Sequence, residues 1–135
     1  MVLRKITQIL CFTVILVFYA CKDCSDASGF SSMFEDAIRS VSMYYEEGVV
    51  NQPIDTDRAF TFLRVVTEHT DSREGTHFGL DYLSPEDYDQ DVRIWQEWYL
   101  DNRCTFNSDR LQAIFLASPF DKDEAITWHE YLYNN

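Results

Sequence analysis

The sequence predicts an all-α fold, a small bundle or helix-pair stack of about five helices after an N-terminal signal segment. Two observations carry this. Apolar residues recur at three- and four-residue steps in several separate stretches, the period of one helix face. Helix-capping residues stand at the start of most of those stretches. A strand alternative competes best at "FTFLRVV", Phe60 to Val66, which is rich in β-formers.

Residues 1–20 stand apart from the bundle. Arg4 and Lys5 precede an oily run from Ile6 to Ala20, interrupted only by Thr7, Gln8 and Thr13. A spanning helix needs about 20 apolar residues to cross a hydrocarbon core roughly 30 Å thick. The run is shorter, and fits the charged start and apolar middle of a secretory signal. Ala20 directly precedes Cys21.

The stretch "FYAC", Phe18 to Cys21, resembles the processing site of a bacterial lipoprotein, in which the cysteine is acylated and becomes the first mature residue. The resemblance implies a signal peptide over 1–20, palmitate-type lipid attachment at Cys21, and a lipid-anchored place in the cell envelope, on the periplasmic or surface face of the outer membrane. "CKD", Cys21 to Asp23, resembles the lysine-acid export signal of surface-exposed lipoproteins. Buried methylenes of an acyl chain add about 0.8 kcal/mol each, and two or more chains anchor stably. An uncleaved N-terminal anchor and an ordinary cleaved signal are the alternatives. All three put the domain outside the cytoplasm.

Residues 21–30 are small and polar and suit a flexible tether, leaving 31–135 as one helical domain. In the first helix, Ser32 and Glu35 have capping-box spacing, Phe34, Ala37, Ile38, Val41 and Tyr45 form the stripe, and Gly48 is the stop. "NQPIDTD" is a turn with Asp55 as the next cap, and Ala59, Phe60, Leu63 and Val66 follow, ending near His69. Residues 70–83 read as a loop. At "SPED", Ser84 caps, Pro85 takes the first helical position and Asp87 the box position, and Tyr88, Val92, Trp95, Trp98 and Tyr99 give the strongest stripe in the chain. Leu111, Ile114 and Phe115 mark a short fourth helix stopped near Ser118 and Pro119. Asp121 and Glu124 repeat the cap spacing before Ala125, Trp128, Tyr131 and Leu132.

Residues 78–103, through Gly79, Asp81, Tyr82, Trp95 and Trp98, resemble a segment at the ends of helical-repeat proteins, where "G-x-D-Y/F" precedes a helix ending in "W-x-x-W". No internal repeat at a fixed period accompanies it. The resemblance implies helix-pair packing rather than an array. Trp95 and Trp98 are the candidate partner-binding aromatics, with core packing the more ordinary use of such a pair.

Removing residues 1–20 takes away two basic residues and no acid, leaving nine basic against 23 acidic residues, net −14. Such a surface repels phosphate backbones, so no nucleic acid is expected as a partner. It would attract a cationic protein and speed encounter with it, or serve solubility alone. Of four cysteines, Cys11 lies in the signal and Cys21 is the lipid site. Cys24 and Cys104 remain as a candidate disulfide in an oxidising compartment.

No catalytic motif emerges, and no cofactor or metal is implied. Asp87, Asp89 and Asp91 alternate as at the start of a calcium loop, but Val92 and Trp98 stand where glycine and glutamate are needed, so a solvated helix face is expected. "HEYLY" lacks the second histidine of a zinc site, Tyr133 standing in its place. His69 and His77 flank the glycine-containing loop, with Asp71, Glu74 and Asp81 nearby, and offer the one acid-base candidate. The leading expectation is therefore a non-catalytic, membrane-anchored protein-binding module, in its most concrete form an immunity-protein-like binder of a cationic toxin. The alternative is a small envelope hydrolase with its site at the His69–His77 loop.

Overall fold

The computed structural model describes residues 29–48, 52–76, 79–120 and 125–134. Cys21, Cys24, His77 and residues 121–124 lie outside the described residues. The architecture is all-α, with five helices. Helix α1 spans Phe30–Ser42 and continues as a π turn, Met43–Glu47. Helix α2 spans Thr56–Thr67, α3 Pro85–Asn102, α4 Ser108–Ala117 and α5 Trp128–Tyr133. The Phe60–Val66 stretch, the strand alternative, is helical because its apolar residues face one way at helical spacing: Phe60, Leu63 and Val66 are all buried.

Local chemistry sets most boundaries. Asp55 accepts the backbone N–H groups of Asp57 and Arg58, so α2 begins where the sequence places it. Ser84 accepts from Asp87 N–H at 3.2 Å with Pro85 next, as expected for α3. Gly48 ends the π turn at φ 65°, its N–H returning to Met43 C=O.

Three expectations need correction. Helix α1 starts at Phe30, after Gly29 in the left-handed region, with no side-chain cap. The Ser32–Glu35 box is unused because Phe30 is fully buried and belongs to the helix, which also ends the expected tether short of residue 30. The expected loop at 70–83 contains an antiparallel hairpin, β1 (Glu74–Thr76) against β2 (Gly79–Asp81), with Glu74 opposite Asp81. Helix α5 starts at Trp128, where Thr127 caps Glu130 N–H at 3.1 Å and donates its hydroxyl to the Glu130 carboxylate, rather than after Asp121.

The core is aromatic. Phe30 stacks on Phe106 with centroids 4.5 Å apart, and Phe34 on Tyr99 at 4.9 Å. Phe62 meets Trp128 edge-on at 5.0 Å, and Phe60 meets Trp95 at 5.8 Å. Such pairs contribute about 0.5–1.5 kcal/mol beyond the area they bury. Tyrosine hydroxyls tie α1 to its neighbours: Tyr88 donates to Ser42 or Glu46, Tyr99 to Glu35 and Tyr133 to Asp36.

These contacts fix two ends of the bundle. Tyr88 meets the end of α1 while Trp98 and Tyr99 meet its start, so α3 runs antiparallel to α1. Ile54 N–H reaches Ser40 Oγ, and Phe62 reaches Phe30 and Phe34, so α2 also runs back along α1. One pole therefore holds the π turn with the starts of α2 and α3. The other holds Phe30, the end of α3 and Phe106 before α4.

Candidate functional site

Helices α2 and α3 both open on the first pole, and a helix N-terminus favours carboxylates. Asp55 and Asp57 stand at the start of α2, and Glu86, Asp87 and Asp89 in the first turns of α3. The π turn adds Glu46 and Glu47, and the hairpin adds Glu74 and Asp81. All are exposed except Asp87, which is half-buried. Elsewhere on the described surface seven carboxylates are accompanied by five arginines, whereas the nine at this pole have only Arg58 and Arg73. Acids that are scattered in sequence are thus gathered in space.

A pocket of about 260 Å³ opens at this pole, lined by Tyr44, Tyr45, Gln52, Asp55, Thr56, Asp57 and Arg73. Tyr44 and Tyr45 meet edge-on at 5.0 Å. Burial, then the nearby Asp81 charge, pushes the Tyr45 hydroxyl well above the usual tyrosine value. Arg73 forms the floor. Its side chain is only 6% exposed, its guanidinium lies 3.4 Å over the Phe60 ring, and Nε donates to the buried Asp71 at 2.7 Å. Nη1 is 3.8 Å from the Asp57 carboxylate. With Arg73 neutralised by Asp71, the wall carboxylates leave the pocket negative. Two tyrosines beside two carboxylates suit a lysine or arginine side chain.

A second cluster lies behind the pocket. Asp91 of α3 is fully buried and accepts from His69 Nε2 at 2.8 Å, from Ser72 N–H, and from Ser72 Oγ at 3.1 Å. The expected solvated face holds for Asp89 and fails for Asp91, whose position faces the core with Tyr88 and Trp95. Every donor comes from the segment after α2, so Asp91 pins that segment to α3. The Tyr82 hydroxyl sits near Asp91 but is buried without a hydrogen-bond partner, and burial followed by the Asp91 charge raises its pKa well above 10. Ser72 and His69 both turn to Asp91 rather than to each other, so no nucleophile–base contact forms here.

Trp95 is fully buried and cannot meet a partner; its four-residue spacing from Asp91 puts it on the core face. Trp98 is half-buried, stacked on Phe34 at 5.8 Å and against Phe106. Glu74 and Asp81 are exposed on the hairpin, and Asp71 is taken by Arg73. Cys104 is disulfide-bonded, and the other three cysteines lie outside the described residues. Among the described residues no group of three His, Cys, Asp or Glu side chains could hold a metal, and no helix is long and apolar enough to cross a membrane. Sequence reasoning missed the pocket, because its lining comes from three separated segments and no local motif marks it. Compared with known protein families, curated proteins and solved structures, the chain matches none.

Proposed function

We propose that the chain is an envelope lipoprotein, acylated at Cys21, whose helical domain is a non-catalytic module that binds a cationic protein at the acidic pole. The observation that supports this is the gathering of nine carboxylates against two arginines at one pole, with Asp55 and Asp57 among them lining a pocket, while the rest of the described surface carries seven carboxylates and five arginines. Solubility alone requires no such segregation. An immunity-protein-like role, masking a basic surface of a toxin in the periplasm, is the concrete form of this reading. Electrostatic steering of that kind speeds encounter and weakens with salt.

The test is zero-length carboxylate–amine cross-linking in intact envelopes, comparing the native chain with a variant carrying Glu47→Lys, Asp57→Lys, Glu86→Lys and Asp89→Lys. These side chains are exposed and cap no helix. One discrete adduct is expected, lost in the variant and in high salt. An adduct equally strong in the variant would remove the acidic pole from the account.

The hydrolase reading draws on one observation, the 2.8 Å contact that holds a half-buried His69 against buried Asp91. It requires a nucleophile or water aligned on His69. His69→Gln, which keeps an N–H donor for Asp91 but cannot act as a base, should then abolish turnover of peptidoglycan or ester substrates, and an unchanged rate would discard it.

A further inference from the structure

The pocket at the acidic pole has a feature that charge alone does not explain, its pair of aromatic walls. Adjacent residues on an α-helix do not face one another. The π turn Met43–Glu47 departs from that rule. It brings Tyr44 and Tyr45 into ring contact at 5.0 Å with their planes at 81°, and both line the pocket. Single π turns of this kind are rare and recur at functional sites. Tyr45 is wedged by the rings of Phe60 at 6.0 Å, Tyr82 at 5.0 Å and Tyr88 at 5.4 Å. Tyr44 is 47% exposed. The one is a fixed wall, the other a wall left for a partner to cover. At about 260 Å³ the pocket falls below the roughly 300–1,000 Å³ of a small-molecule site and suits one inserted side chain.

We propose that this pocket is an ammonium site that seats a single lysine side chain of the cationic partner and prefers it to arginine. The inference rests on the reading of the acidic pole as the binding face, and adds which kind of residue anchors the partner there.

The carboxylates decide between the two cations. Asp55 Oδ1 accepts the N–H groups of Asp57 and Arg58, which leaves its Oδ2 for a ligand. Asp57 Oδ1 faces Arg73 Nη1 at 3.8 Å, and the Asp57 side chain is 93% exposed. Each carboxylate thus offers one uncommitted oxygen. A guanidinium binds best through two parallel bonds to both oxygens of one carboxylate, and that fork has no match here. An ammonium is a point charge with three donors, and takes one oxygen from each carboxylate. The same charge is attracted to both tyrosine rings. Arg73 does not compete for the site, because Asp71 at 2.7 Å and the Phe60 ring at 3.4 Å hold its guanidinium at the floor.

The experiment titrates the isotope-labelled full chain, in detergent micelles, with Nα-acetyl-lysine methylamide, Nα-acetyl-arginine methylamide and tetramethylammonium, following backbone amide shifts by NMR. The lysine amide should move the Tyr44, Tyr45 and Asp57 signals saturably. It should bind more tightly than the arginine amide and than tetramethylammonium, which has no donors. Tyr44→Ala should weaken the lysine amide about two- to fivefold, the loss of one exposed cation–π contact, and Tyr44→Phe should bind as the native chain does. Asp57→Asn should reduce the preference for lysine. Glu86→Gln with Asp89→Asn, which removes more charge from the same pole but none from the pocket lining, should keep it. The amide spectrum of each variant reports whether the fold is retained. Equal affinity for the lysine and arginine amides, or no effect of Tyr44→Ala, would overturn the proposal. Cross-linking in envelopes separates this inference from the reading it rests on. An adduct lost in the charge-reversed variant, without lysine preference in the pocket, removes the anchor and leaves the acidic pole as the interface. A saturable lysine site without any protein adduct removes the protein partner, and the source of the ammonium is then a free amine.

Discussion

At the residue scale, Asp91 carries the largest single electrostatic commitment in the fold. A carboxylate taken fully out of water must be met by donors, and here three are supplied by His69 and Ser72. Asp91→Ala should cost about 3 kcal/mol in urea unfolding, with the segment after α2 losing amide protection first. Tyr82 presents the opposite case, a buried hydroxyl with no partner. Tyr82→Phe should be neutral or stabilising by about 1 kcal/mol, because it removes an unsatisfied group. The tyrosines also set the alkaline limit. Burial raises Tyr45, Tyr82 and Tyr133 well above 10 and pushes Tyr88 up to about 12. In the unfolded chain these phenols lose their protons near pH 10, while in the folded chain they keep them, so unfolding releases protons. Stability should therefore show no tyrosine-dependent change below about pH 10 and decline from there through about pH 12, and Tyr82→Phe should soften that decline. The burial of Asp91 was legible in outline. It stands three residues after Tyr88 and four before Trp95, on the apolar stripe itself, and only its chemical identity argued for water.

At the element scale, the starts of α2 and α3 were readable because Asp55 and Ser84 cap within their own turns, a local interaction. The start of α1 was not, because it depends on Phe30 packing against Phe106, 76 positions away in the chain. The hairpin was hidden for another reason: three-residue strands are too short to show a period of two. Helix α2 ends on Glu68 at φ 57°, among the described residues the one non-glycine in the left-handed region. A carboxylate at a helix C-terminus also opposes the helix dipole. Glu68→Gly should raise stability by about 0.5–1 kcal/mol, read as a higher denaturation midpoint at unchanged cooperativity. A lower midpoint would mean that Glu68 makes a contact worth more than the backbone strain it carries.

At the scale of the whole molecule, composition disclosed the amount of charge, and the fold decided where it went. Two helices starting at one pole, a π turn ending there and a hairpin folded over it collect residues from Glu46 to Asp89 into one region. No window of the sequence contains that fact, since it depends on the antiparallel run of α2 and α3 against α1. Among the described residues the separation gives the protein a dipole as well as a net negative charge. Near any charged boundary it experiences a torque before it experiences contact, and a positive surface will meet it end-on. Net charge is then a poor guide to its behaviour. Neutralising Glu47, Asp57, Glu86 and Asp89 should advance its elution from an anion exchanger further than neutralising Glu35, Glu97, Asp101 and Asp109, although both sets remove the same charge. Two proteins alike in isoelectric point would part on the column because the resin registers the pole and not the sum.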